Sequence, residues 1–259
     1  MPRRFFSAVD VAADQLELTG REAHHLQRVL RMQPGELVWL FDGRGREVLA
    51  RISSLDQHAV RLEVTERRPV AKPTSLPVTL ATGVPKGDRF RWLIEKVTEL
   101  GVQRVIPLIT QRSIVDPGQG KLDKLRQTIV EACKQCGRSQ LMELTEPLAW
   151  RDCLTDEFPG REVWIAHPGG EPLIWPVPVM GTSRGGTGDN SNPVSADAGS
   201  IRHVTNPPLF LIGPEGGFTE SEVAEAVAAG ARPMQLGPRI LRIETAAVAI
   251  AALTALQLQ

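Results

Sequence analysis

The chain has 259 residues, enough to bury a substantial core and to divide into two domains. Lysine plus arginine and aspartate plus glutamate number 30 each, so the formal net charge is zero. Global steering towards a polyanion is therefore excluded, and any RNA contact has to come from local patches. Three cysteines and a basic start without an apolar stretch behind it argue against a disulfide framework and a secretory leader, and for a cytoplasmic protein.

Residues 1–72 read as one unit. Arg3-Arg4-Phe5-Phe6 predicts a short strand. Thr19-Gly20-Arg21-Glu22 predicts a capped helix carrying His24, His25, Leu26, Val29 and Leu30, with Pro34-Gly35 closing the region. Leu37–Phe41 and Glu47–Ile52, joined by Asp42-Gly43-Arg44-Gly45, predict a hairpin. Val60–Val64 alternates with period two and adds a strand, so the unit is expected to be a small β-barrel. Every basic residue among the first 70 is arginine, whose planar fork suits phosphate. Arg3, Arg4, Arg28, Arg31, Arg44 and Arg46 are the candidate RNA contacts, set against acidic residues that nearly balance them. Adjacent residues such as His24-His25 diverge on a helix and no further ligands sit nearby, so no metal site is expected.

The proline-rich, charged Glu66–Pro77 reads as a linker into a second unit, 73–259. There a strand over Leu76–Gly83 is followed by a loop carrying Lys86, a candidate phosphate or cofactor contact. Asp88 is placed to cap a helix through Trp92, Ile94, Val97 and Leu100, ended by Gly101, and Val105–Ile109 is the next strand. Leu122–Cys136 predicts another helix. Its C-x-x-C lacks a paired second motif, so Cys133 is read as a small buried hydrophobe rather than a zinc ligand. Val163–Pro168 predicts a strand running into a turn at His167. Residues 176–208 shift to Gly, Ser, Thr, Asn, Asp and Pro and read as a flexible insertion.

The most informative stretch follows. Leu209–Ile212 predicts a short strand buried on both faces of a parallel sheet. Gly213-Pro214-Glu215-Gly216-Gly217 is a turn that a ligand can approach closely. Thr219 and Glu222 form a capping box, Phe218 can staple onto Val223, and Gly230 stops the helix. A second loop, Leu236-Gly237-Pro238-Arg239-Ile240-Leu241-Arg242-Ile243-Glu244-Thr245-Ala246, feeds a last, uncharged helix too short and alanine-rich to span a bilayer. Both loops should open on one edge of the sheet, where open α/β folds bind ligands. Neither G-x-G-x-x-G nor G-x-x-x-x-G-K-[ST] occurs, which disfavours nicotinamide and nucleoside triphosphate chemistry.

GPEGGFTESE followed by LGPRILRIETA resembles the two signature loops of the RsmE family, SPOUT-class methyltransferases. RRFF, HHLQRVLRM and LFDGRGREVLARI are similar to that family's PUA-like N-terminal domain. Ile243 departs from the R-T-E-T-A usual there, leaving the arginine and glutamate in place. The resemblance implies a knotted α/β domain with a parallel sheet, dimerising through its last helix. It implies S-adenosyl-L-methionine as cofactor and N3 of a uridine in 16S rRNA of the small ribosomal subunit as target. It places the cofactor on Leu211, Ile212, Gly213, Pro214, Glu215, Gly216, Gly217, Leu236, Gly237, Ile240, Leu241, Arg242, Thr245 and Ala246. It also draws attention to Arg112, Glu131, Gln135 and Arg138, with Arg112 and Arg138 as RNA contacts, and brings the His167 strand end near the cofactor.

Uridine N3 carries a proton that must leave before or during attack, so a base or an anion stabiliser is needed. Arg242 can stabilise a developing uridinate oxygen, and Glu215 and Glu244 are the carboxylates for acid–base work, with helix capping as the other reading of Glu244. Two alternatives stay open: a catalytically inactive RNA-binding or ribosome-assembly protein, and a SPOUT enzyme acting on another RNA, such as a tRNA ribose.

Overall fold

The structure, a computed structural model, describes residues 2–68, 76–172 and 207–256. The linker read at Glu66–Pro77 thus falls mostly, and the polar stretch 176–208 almost wholly, outside the described residues.

The N-terminal sheet begins with β1 (Arg3–Phe6) and β2 (Gln15–Thr19). A short helix, α1 (Gly20–His24), continues as one π-helical turn, His25–Val29. β3 (Leu37–Phe41), β4 (Glu47–Leu55) and β5 (Ala59–Arg67) complete the order β1-β3-β4-β5-β2. The sheet curls around one core in which Leu16 and Leu18 of β2 face Leu62 and Val60 of β5. The β3–β4 turn forms as its chemistry predicts. Gly43 and Gly45 take φ of 75° and 99°, and Asp42 Oδ1 accepts the N–H groups of Arg44 (2.8 Å) and Arg46 (3.2 Å).

One local expectation is corrected here. Thr19 occupies the N-cap position of α1 without a side-chain bond. Glu22 instead accepts from the Phe6 N–H at 3.3 Å and pairs with Lys134 at 3.2 Å, so long-range partners outcompete the local cap. The helical run also stops at Val29, well before Pro34, where Arg31 adopts a left-handed φ of 52°.

The second sheet is parallel throughout. Its elements are β6 (Leu76–Thr82), α2 (Arg89–Glu99), β7 (Val102–Ile109), α3 (Gln119–Cys136), β8 (Glu143–Leu144), β9 (Leu148–Ala149), α4 (Trp150–Asp152), β10 (Val163–Pro172), β11 (Leu209–Ile212), α5 (Glu220–Ala228), β12 (Arg232–Gln235) and α6 (Ile243–Ala255). The strands lie in the order β12-β10-β11-β6-β7-β8, with β9 on β7.

Continuous apolar runs are explained by two cores, one on each face. Phe210 and Ile212 enter the layer under α2, α3 and α6, whereas Leu209 and Leu211 enter the layer under α4 and α5. Val105 and Ile106 of β7 divide the same way. After β12, at one edge of the sheet, the chain turns back and α6 packs on α2 and β6 near its centre.

The two sheets are joined by polar contacts. Arg4 donates to the Gly137 and Arg138 carbonyls and to Ser139 Oγ, and pairs with Glu47 at 3.1 Å. The hairpin tip docks alongside: Leu141 N–H donates to the Gly43 carbonyl (2.9 Å) and Gly45 N–H to the Ser139 carbonyl (3.1 Å). No described helix is long and apolar enough to cross a membrane. Among the described residues no His, Cys, Asp and Glu cluster could hold a metal ion.

Candidate active site

The first loop leaves β11 at Ile212 and is shaped from both sides. Gly217 takes φ of 68° and its N–H closes a turn onto the Pro214 carbonyl at 2.8 Å. Beneath it, Gly83 N–H bonds the Ile212 carbonyl, and a Cβ on Gly83 would meet Pro214 backbone atoms at 2.7 Å. Only glycine lets the β6 end and this loop approach so closely.

The α5 cap forms in full. Thr219 Oγ1 accepts from Glu222 N–H, and the Glu222 carboxylate accepts from Thr219 N–H at 2.8 Å. Glu222 is buried and also accepts from Gln111 N–H at 2.8 Å, tying the β7 end to the loop. Phe218 packs on Trp150 with centroids 5.3 Å apart, and Val223 lies against the same core.

The second loop follows β12. Gly237 takes φ of 93°, Leu236 and Leu241 rest on the core, and Ile240 is 89% exposed. Pro238 has no N–H, and the N–H groups of Gly237, Arg239, Ile240 and Leu241 make no backbone hydrogen bond within the described residues. Arg242 is the extended N-cap of α6 and exposed, without a side-chain cap bond. Ile243 is buried at 4%, which gives its apolar side chain a packing role where the family has a hydroxyl. Thr245 is exposed and Ala246 buried.

The two loops meet through a residue that sequence reasoning missed. Arg89, the first residue of α2, donates to Glu215 Oε1 at 3.0 Å, and its guanidinium lies 3.9 Å from Glu244 Oε1. Arg89 Nε also reaches the Lys86 carbonyl (3.3 Å), while Lys86 N–H points at Glu215 Oε1 (3.4 Å). Glu244 is buried, and its Oε2 has no partner among the described residues. A buried acceptor left unpaired is costly unless a donor arrives. Arg89 sits three residues after Lys86 in the same loop-to-helix stretch, but nothing in its local pattern distinguishes it from a solvated helix arginine.

The other predicted contacts divide. Arg3, Arg28, Arg31, Arg44 and Lys86 are exposed. Arg46 is spent on Asp10 at 2.7 Å, and that hydrogen bond lowers the Asp10 pKa below the usual carboxylate value. Arg4 is committed to the junction described above, not to phosphate. Arg112 donates to the Gly216 carbonyl at 2.8 Å and so holds the first loop from outside.

Arg138 is corrected outright. It is only 5% exposed and donates to the carbonyls of Thr98 and Val102, with burial lowering its pKa, so it is a core arginine out of reach of RNA. His167 stays local, its Nδ1 accepting from Gly169 N–H. The strand does not stop there but pairs with β12 as far as Pro172. Cys133 is buried and pushed up to about 11 by desolvation, an inert thiol as expected.

Two grooves lie away from this junction. One of about 560 Å³ between α2 and α3 has walls whose charges are largely self-paired, Lys96 with Glu95 and Glu99 and Arg21 with Glu131. The other, about 570 Å³, lies behind the first loop between α4 and α5.

Comparison with known proteins agrees with this architecture. Residues 72–255 match the RNA methyltransferase domain family and residues 18–65 the RNA methyltransferase PUA domain. The Ribosomal RNA small subunit methyltransferase E of Synechocystis sp. is 33% identical over 243 residues, covering 92% of this chain and 72% of that protein. The crystal structure of the Neisseria gonorrhoeae Ribosomal RNA small subunit methyltransferase E bound to S-adenosyl methionine superposes with a TM-score of 0.79 at 29% identity, covering 97% and 96% of the two chains. A Legionella pneumophila methyltransferase in complex with SAM gives a TM-score of 0.78 at 29% identity, covering 99% and 98%. With the glycine loops, the parallel sheet and the N-terminal PUA sheet in place, the chain belongs to the RNA methyltransferase family of ribosomal RNA small subunit methyltransferase E.

Proposed function

We propose that this chain methylates N3 of a uridine in the 16S rRNA of the small ribosomal subunit, using S-adenosyl-L-methionine. The observation that carries the reading is the bridging of two glycine loops by Arg89 at the C-terminal edge of the sheet, beside a buried carboxylate oxygen that lacks a donor among the described residues. Relatives are named ribosomal RNA small subunit methyltransferase E, and two similar solved structures are described with the cofactor bound.

The residues fit that cofactor. We assign Gly213 to Gly217 to one side of the cofactor site and Leu236, Gly237, Ile240, Leu241 and Thr245 to the other, with Leu211, Ile212 and Ala246 buried. Free backbone N–H groups from Gly237 to Leu241 can meet the edges of an adenine, while Leu236, Ile240 and Leu241 cover an apolar face. When bound, S-adenosyl-L-methionine supplies an already activated methyl group, and its transfer to N3 releases S-adenosylhomocysteine and the N3 proton. Glu244 is assigned to accept that proton on Oε2, and Arg242 to stabilise the charge that develops on the uracil oxygen. Glu215 holds the first loop in register through Lys86 and Arg89.

Arg3, Arg28, Arg31, Arg44 and Lys86 remain the exposed cations for phosphate contact. A homodimer through α6 is supported by Leu253, exposed on that helix, and Leu256, exposed at its C-cap, with Trp92 exposed on the neighbouring α2. An rRNA substrate supports a cytoplasmic location.

The test is methyl transfer to small subunits lacking the modification, read by nucleoside mass spectrometry. The wild-type chain is expected to produce 3-methyluridine. Arg242→Ala is expected to abolish turnover while calorimetry shows nearly unchanged cofactor affinity. Absence of 3-methyluridine, or a methyl group on a ribose hydroxyl, would reject the reading.

A further inference from the structure

Among the described residues, Arg89 is the one side chain that touches carboxylates of both loops, and it does so from a third element, α2. Its fork divides the work. One nitrogen makes a short charge-assisted bond to Glu215 on the first loop, at 3.0 Å. Another sits 3.9 Å from Glu244 Oε1 on the second. The third donor, Nε, anchors to the Lys86 carbonyl and fixes the plane of the guanidinium relative to α2.

Arg89 approaches Glu244 from the Oε1 side by charge alone, beyond hydrogen-bond distance, and Oε2 is buried without a partner among the described residues. A lysine has one nitrogen in place of three, so it cannot meet both carboxylates and the Lys86 carbonyl from separate atoms in a fixed plane. The contact is not a surface decoration: Glu244 is buried, and Gly83, six residues before Arg89, already packs the same segment under the first loop.

We propose that Arg89 is a positioning residue that couples the two loops and orients Glu244 so that Oε2 stays available to an N–H or O–H donor of the ligand. This rests on the functional reading above, and it predicts that Arg89 and Glu215 act as one unit. Their contribution to cofactor affinity is therefore shared, not summed.

The experiment is a double-mutant cycle on the full chain, with S-adenosyl-L-methionine binding measured by calorimetry and folding monitored by thermal melts. Arg89→Met and Glu215→Gln are each expected to weaken binding about tenfold, the effect of one partly exposed charge-assisted hydrogen bond. The double variant should be no weaker than about tenfold, and Arg89→Lys should recover part of the loss. Binding by Arg89→Met within twofold of wild type would overturn the proposal, as would a double variant weakened by the product of the single losses. If Arg89→Met melts much earlier than wild type, Arg89→Gln supplies the same comparison.

Glu244→Gln identifies the donor. Retained affinity with lost turnover assigns Oε2 to the uracil imide, and lost affinity assigns it to the cofactor. Unchanged affinity and turnover would overturn the role given to Oε2. A wild-type chain without measurable cofactor binding would overturn both readings. One that binds but methylates no small-subunit RNA would overturn only the function.

Discussion

A guanidinium keeps its charge at almost any cost, so where it is buried its partners define its purpose. Arg138 bonds the carbonyl of Thr98, in the last turn of α2, and that of Val102, at the start of β7. It thus bridges the α2–β7 corner from the end of α3. Two carbonyl bonds to a charged donor are worth about 1.5–3 kcal/mol each, less the cost of desolvating the cation. Arg138→Ala is therefore expected to destabilise the fold by about 2–4 kcal/mol in urea melts. RNA affinity of the folded fraction, and its slope against salt, should stay unchanged. Arg28→Ala, an exposed change, should do the reverse, lowering the salt slope by about one counterion without moving the melt.

At the scale of elements, the first loop is held by short-range chemistry that is written in the chain. Thr219 and Glu222 are three residues apart, so their reciprocal bonds need no help from the rest of the fold. Thr219→Ala is expected to cost about 1 kcal/mol. Glu222→Ala should cost more, about 2–3 kcal/mol, because it also strips the Gln111 N–H of its acceptor. Chemical denaturation of the two variants checks the order.

That capping box was legible, as were the two-sided burial of Leu209–Ile212 and the hairpin at Gly43, because each depends on neighbours along the chain. Arg89 was not, since its partners Glu215 and Glu244 lie more than a hundred residues away and its local setting is that of any helix start. The same holds for Gly83, whose need for a bare Cα arises only when Pro214 is folded over it. Arg138 was legible as an arginine worth noting, but burial, which reverses its role, is a property of the assembled core. Thr19 failed as a cap for the matching reason: Glu22 found Lys134 from the other unit.

For the whole molecule, the decisive question is whether the N-terminal PUA sheet is tethered or fixed relative to the two loops. Arg4 makes three hydrogen bonds across the junction while Glu47 of its own sheet pairs with it, Lys134 makes a nearly buried ion pair across to Glu22, and the hairpin tip exchanges backbone bonds with residues 139–141. These contacts converge on Gly43, where a Cβ would meet the Leu141 side chain at 2.8 Å and where φ is 75°. A valine there is strained in its own backbone and pushes the tip off its seat.

Wild type is therefore expected to melt in a single calorimetric transition, the two sheets unfolding together. Gly43→Val should separate the transition into two, or move the N-terminal one to lower temperature, while cofactor affinity at the distant loops holds. Methylation of small subunits should fall mainly through kcat, because RNA held by a loosened sheet is no longer presented at a set distance from Glu244. Two transitions in the wild type would mean that the junction does not couple the units, and RNA would then be delivered by a tether and not by a fixed frame.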